Sequence, residues 1–232
     1  MWLFNSSVGR KVVMSVTGIA LVLFLTFHAC MNVVAIFSAD AYDAICAFLG
    51  ANWYAVVATL GLVALIACHF VFAIILTLQN KKARGANRYA VTAKPEKVEW
   101  ASQNMFVLGL IVLLGLLLHL FNFWYNMMFA ELLEGHAAVV ELGGEFLSPT
   151  SGTAIIAYTF SHWYYVLLYL VWLCALWFHL THGIWSGMQT LGANGKTWFN
   201  RWKCIGNVYA TLLILCFAVV VLYFFCCGSV CA

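Results

Sequence analysis

The apolar positions of this chain fall into long unbroken runs, with neither the alternation of a half-buried strand nor the stripe of a surface helix. Three runs, 12–37, 53–78 and 105–130, contain no Asp, Glu, Lys or Arg. Each would make about 39 Å of helix, longer than the roughly 30 Å hydrocarbon core of a bilayer. A fourth uncharged stretch lies between Glu145 and Lys196, where a span over about 155–190 is expected, and a fifth span covers about 205–227. The pattern predicts an all-α integral membrane protein, a single transmembrane domain over 1–232 with five helices. The first run follows Arg10 and Lys11, but its apolar part is about twice the length of a secretory signal and its polar flank is very short. It reads as a retained helix.

Composition agrees: of 232 residues 65% are hydrophobic and 8% charged, too apolar for a soluble domain of this length. Charge adds a direction. If the spans alternate, every Lys and Arg falls on one side: Arg10 and Lys11, then Lys81, Lys82, Arg84, Arg88, Lys94 and Lys97, then Lys196, Arg201 and Lys203. The opposite loops carry Asp40, Asp43, Glu131, Glu134, Glu141 and Glu145. By the positive-inside rule the N-terminus and the basic loops are cytoplasmic and the C-terminus is outside. The basic loops serve topology alone or also dock a soluble partner. The acidic loop, rich in Gly and Glu around 141–145, reads as a solvated connector with room for a short surface helix. Aromatic clusters at 53–54, 121–125, 162–165 and 198–202 have the composition of interfacial anchors.

Nine cysteines raise the question of redox chemistry, and their spacing argues against it. Cys30, Cys68, Cys174 and Cys216 stand singly in apolar runs, and Cys226, Cys227 and Cys231 sit in the tail. No C-x-x-C occurs, which argues against an iron–sulfur cluster on this chain, and no C-x-x-C-H, so any haem is held non-covalently.

The histidines carry the chemistry. His28, His69 and His119 lie one in each of the first three runs, and the fourth holds His179 and His182. Ionisable groups inside a membrane are costly and mark function, so four imidazoles on separate helices point to metal, most simply two haems. For any one of them alone, an interhelical hydrogen bond is the plain alternative. Counting about 1.5 Å per residue, His28 and His119 lie roughly 14–16 Å from the outer ends of their helices, and His69 and His179 or His182 roughly 14–18 Å from the inner ends. The first and third helices run outward and the second and fourth inward, so the expected pairs are His28 with His119 and His69 with a histidine of the fourth helix. Gly115, Ala73 and Gly183 lie one turn from ligand candidates and are expected to leave room for a flat macrocycle. His136 reads as solvated and His162 as interfacial. His179 and His182 are three residues apart on one face, and depth does not separate them.

These stretches resemble the di-haem cytochrome b membrane anchor, of the cytochrome b558 type, of succinate dehydrogenase and quinol:fumarate reductase. The likeness covers 10–222 and is carried by Phe27-His28 followed by Asn32, Cys68-His69-Phe70, Leu118-His119-Leu120, and Phe178-His179-Leu180-Thr181-His182-Gly183-Ile184-Trp185-Ser186. Each motif is short; the four positions on five spans are specific together. The resemblance selects His179 over His182, since family members keep a His four residues before a Gly. It implies two haem b groups, an outer one on His28 and His119 and an inner one on His69 and His179. It also implies an iron–sulfur subunit and an FAD-containing flavoprotein subunit on the cytoplasmic side, in an assembly compatible with a dimer of heterotrimers. A quinone, taken as menaquinone, would react towards the outer side, and this chain would hold no dicarboxylate site. Asp43 is the candidate quinone contact; Arg10, Lys11, Lys81 and Lys82 are candidate propionate partners by position. One departure is Trp177, near where some members place a Glu in the fourth helix. No acid falls within any predicted helix, which puts proton movement by that route in doubt. Two readings stay open beside this one: a di-haem subunit of a formate dehydrogenase or nitrate reductase type, and a transporter that uses histidines.

Overall fold

The computed structural model describes residues 6–84, 99–193 and 195–227. Arg88, Lys94, Lys97 and Cys231 lie outside the described residues, as do the side chains of Arg84 and His136. Five helices are long and apolar enough to cross a membrane, and the chain is an all-α multi-pass membrane protein. In chain order the helices are α1 (Ser7–Phe37), α2 (Ala39–Phe48), α3 (Trp53–Arg84), α4 (Trp100–Gln103), α5 (Met105–His119), α6 (Ala130–Glu134), α7 (Gly152–Ser161), α8 (Trp163–Thr190) and α9 (Lys196–Cys227). The spans are α1, α3, α5 with its continuation to Glu134, α8 and α9.

Local chemistry sets where these helices stop. Ser6 caps α1, its Oγ accepting the Gly9 N–H at 2.9 Å. At the other end Ser38 is extended (φ −156°), gives its N–H to Val34 O, and accepts the Ala41 N–H on Oγ at 3.2 Å. One serine thus closes α1 and opens α2, so the first connection is a helix at a corner. The third span departs from regular winding: 120–129 follow α5 as a π-helical segment, Leu120–Phe129, before α6. The fourth expected span, 155–190, is two helices, because His162 is extended (φ −94°, ψ 112°) and separates α7 from α8.

The acidic loop begins with the short helix α6 and the 3₁₀ turn Gly135–Ala137 and carries no further helix before α7. It makes a two-stranded antiparallel hairpin, β1 (Val140–Leu142) with β2 (Glu145–Leu147), Leu142 facing Glu145. Gly143 and Gly144 have φ of +65° and +88°, the doubly left-handed turn that suits a tight hairpin and that Gly-Gly adopts without strain.

The principal helix neighbours are α1 with α3, α8 and α9, α5 with α8, and α8 with α9; α3 touches α5 more lightly. So α1, α3, α5 and α8 form a four-cornered bundle, with α9 laid on the α1/α8 side. The best-buried apolar side chains include Leu173, Leu176 and Leu180 of α8 and Ala210, Val221 and Phe224 of α9. Large apolar side chains such as Leu60, Leu114, Val171 and Leu212 are exposed on the outside, as lipid-facing positions must be.

Gly115 does not clear space for a macrocycle. A Cβ there would lie 2.0 Å from the Trp172 indole, whose Nε1–H donates to Val112 O at 3.0 Å. A mid-span indole needs an acceptor for its N–H and a shallow place for its ring, and α5 supplies both. Gly115→Ala is therefore expected to lower the midpoint of thermal unfolding in detergent, at a cost of about 1–3 kcal/mol from overpacking. Gly61→Ala, where nothing lies within 4 Å of the added methyl, should leave it unchanged or raise it slightly.

Candidate functional site

The four-cornered bundle brings the histidines together across its diagonals. The His28 ring on α1 lies 5.7 Å from the His119 ring on α5, the planes nearly perpendicular at 87°. The His69 ring on α3 lies 6.3 Å from the His179 ring on α8, at 67°. All four are half-buried in the protein itself.

Glycine contacts fix the spacing of the two layers. A Cβ at Gly18 of α1 would come within 3.3 Å of the His69 ring, and one at Gly109 of α5 within 3.7 Å of the His179 ring. Ten residues further along the same helices stand His28 and His119, so both helices put the layers about 15 Å apart.

The layers have different walls. Around the His28/His119 pair, Phe24 stacks on His28 at 5.6 Å and Phe217 of α9 lies 5.7 Å from it. Phe123 and Trp172 stand 5.1 Å and 5.7 Å from His119, with Tyr169 beyond at 6.3 Å. Asn32, one turn after His28, donates through Nδ2 to His28 O at 2.8 Å and accepts the Tyr42 hydroxyl on Oδ1 at 3.1 Å, tying α2 to the turn that carries His28. The His69/His179 pair is lined by the two glycines, by the Met14 carbonyl against His69, and by Thr17, whose Oγ1 is 3.2 Å from His69 Nδ1. His179 Nδ1 is buried with no hydrogen-bond partner.

Among the described residues no group of three or more His, Cys, Asp or Glu side chains is placed to hold a metal ion. Each diagonal offers two imidazoles, the set that an iron already held by a macrocycle takes from the protein. An imidazole nitrogen sits about 2 Å from a bound metal and its ring centre about 1 Å behind it, so two imidazoles that shared one metal would have ring centres up to about 6 Å apart. The observed 5.7 Å and 6.3 Å fit that requirement, and the relative twist of the rings is left free by it.

His182, which depth did not distinguish from His179, goes elsewhere. It turns to the basic end of the bundle, where its Nδ1 is 3.6 Å from Glu99 Oε2, too long for a hydrogen bond but close for a charge contact. Glu99 Oε1 accepts from Lys203 Nζ at 2.7 Å, and that ammonium lies over the Trp185 and Phe199 rings at 4.7 Å and 5.0 Å. Partial burial pushes the Glu99 carboxyl up, but the hydrogen bond and charge of Lys203, with His182 beside it, outweigh this and hold it below its ordinary value.

The remaining candidates are scattered. Lys11, Lys81 and Lys82 are exposed near the basic ends of α1 and α3, and Arg10 is half-buried there. Asp43 is committed at the opposite end: its Oδ1 accepts both the N–H and the hydroxyl of Thr153 at 2.8 Å, capping α7. His162 sits at the α7/α8 break, its Nδ1 2.9 Å from Tyr158 O. Ala73 is half-buried, and nothing lies within 4 Å of a Cβ added at Gly183. Glu131, expected in a solvated loop, is buried at the end of the third span, where its Oε2 accepts the Ala51 N–H at 2.9 Å. Thr17, Gly18, Gly109, Trp172 and Glu99 also belong to this picture and were not singled out from the sequence. The one signal available for them was the equal spacing of Gly18 to His28 and Gly109 to His119.

No family model matches the chain, and neither a curated protein nor a solved structure matches it.

The lowered carboxyl of Glu99 has a signed consequence. Its ion pair contributes to stability at pH above the ordinary carboxylate value and loses that contribution as the pH falls through the lowered folded-state value. Thermal midpoints measured between about pH 6 and pH 3 should fall less steeply for Glu99→Gln than for the unaltered protein. Equal slopes would show that the pair contributes nothing.

Proposed function

We propose that the chain is the membrane anchor and electron-transfer subunit of a succinate:quinone oxidoreductase, a succinate dehydrogenase or quinol:fumarate reductase of the cell inner membrane. The observation that carries the reading is the meeting of four histidines from four helices as two pairs, in layers about 15 Å apart. The resemblance of the histidine-bearing stretches to the di-haem cytochrome b anchors supports the same family.

His28 with His119 would hold one haem b and His69 with His179 the other; a haem ligated by two imidazoles supplies a one-electron ferric/ferrous carrier. The chain's own residues supply the setting. Phe24, Phe217, Phe123 and Trp172 keep water from the outer pair, while Gly18 and Gly109 let the inner rings approach the neighbouring backbones. The basic end, oriented to the cytoplasm by the positive-inside rule, is the docking face for the iron–sulfur and flavoprotein subunits. Lys11, Lys81 and Lys82 are exposed there as cations for carboxylate groups, with Arg10 half-buried beside them. Menaquinone would react near the acidic end, and any role of Asp43 in taking up a quinol proton competes with its cap on Thr153.

The test is a dithionite-reduced minus oxidised spectrum of the purified protein with haem quantification. Two b-type haems per chain are expected; none overturns the reading, and one overturns its two-layer form. His179→Ala should lose one haem while His182→Ala keeps both, and the opposite pattern would exchange their roles.

A further inference from the structure

The two inner rings are held differently: His69 meets the Thr17 hydroxyl and the Met14 carbonyl of α1, while His179 Nδ1 has no partner. Thr17 of α1 is buried, and its Oγ1 lies 2.9 Å from Val13 O, 3.1 Å from Met14 O and 3.2 Å from His69 Nδ1. A hydroxyl has one proton to give and two lone pairs. Both carbonyls are nearer than the imidazole, and back-bonding to the preceding turn is the usual state of a helical threonine. The proton therefore goes to α1's own backbone, and the contact to His69 runs the other way, with Nδ1–H donating to the hydroxyl. That fixes the neutral tautomer in which Nε2 carries the bare lone pair. Gly18, next in sequence, is the place where the His69 ring comes close, since a Cβ there would stand 3.3 Å from Cε1 and 3.7 Å from Nδ1.

We infer that Thr17 is the positioning residue for His69: its hydroxyl fixes the tautomer and orientation of the ring, and Gly18 beside it leaves the space the ring occupies. The inference rests on the di-haem reading and names what prepares one of its four ligands. The partner that orients a ligating histidine also raises its basicity, and losing it characteristically costs 10–100-fold in metal affinity. His179, whose Nδ1 has no partner, lacks this support. The inner site is therefore built around a fixed ring on α3 and a less constrained one on α8.

The experiment compares the unaltered protein with Thr17→Val, which keeps the shape and removes the hydroxyl, and Thr17→Ser, which keeps the hydroxyl. Three readouts are taken on the purified protein: haem content, the electron paramagnetic resonance of each low-spin ferric haem, and a potentiometric titration. Thr17→Val should either retain the inner haem about tenfold less tightly or, where it is retained, raise its potential. A tenfold change in the ferric-to-ferrous affinity ratio is about 59 mV for one electron. The outer haem, about 15 Å away, should keep its signal and so report an intact bundle in the same sample. Thr17→Ser should resemble the unaltered protein. Unchanged content, resonance and potential in Thr17→Val would overturn the inference, and so would a Thr17→Ser protein as defective as Thr17→Val. Should Thr17→Val fail to accumulate, Thr17→Ala repeats the comparison with a smaller side chain and the same two outcomes. An unaltered protein without b-type haem overturns the di-haem reading itself, which separates that failure from this one.

Discussion

Polar groups carried into hydrocarbon have to be satisfied by protein, and that requirement shapes this molecule more than any other. Four helices each carry an imidazole inward, and an imidazole facing lipid would be costly. The bundle meets the constraint by setting each ring across a diagonal from another. Adjacent helices then pack through ordinary side chains, while the centre is given to the rings. The same requirement recurs at smaller scale. The Trp172 indole takes the Val112 carbonyl, the Thr26 hydroxyl meets the Tyr209 hydroxyl between α1 and α9, and Asn122 donates to the Tyr169 hydroxyl at 3.3 Å.

Composition and charge-free runs made the five spans legible because membrane insertion is a bulk property, decided by sums over many residues. Direction of travel sorted the histidines in the order in which the rings meet, since alternation of helices leaves little freedom. What escaped was decided by single contacts. The corner at Ser38 depends on one hydroxyl accepting one N–H, and the break at His162 on one extended residue within an apolar stretch. Glu131 looked like a loop acid because it stands just past the uncharged run, yet the π-helical winding before it turns its carboxylate to the Ala51 N–H. Gly115 looked like clearance for a ligand, and an indole from α8 fills it. The Gly-Gly step of the acidic loop did hold a turn signal, which outweighed the expectation of a helix there.

The two layers also differ in how they resist deformation. The His28/His119 pair is enclosed by aromatic rings from α1, the π-helical segment after α5, α8 and α9, large rigid bodies that fill space from several directions. The His69/His179 pair relies on absent side chains, one hydroxyl and the backbone of α1. At the basic end, one turn beyond His179, Glu99 holds Lys203 of α9 and faces His182 of α8, joining the start of α4 to two spans. Asp43 makes the matching tie at the acidic end, between α2 and α7.

The ten residues that separate Gly18 from His28, and Gly109 from His119, amount to a ruler carried twice. Each residue added within either stretch would lengthen it by about 1.5 Å and swing everything beyond it through about 100°. The glycine seat of one layer and the histidine of the other could not both keep their aim on one helix after such a change. Length variation in descendants of this gene should therefore collect in the connections and avoid these two intervals, so that the distance between the two histidine pairs is inherited as a number of codons.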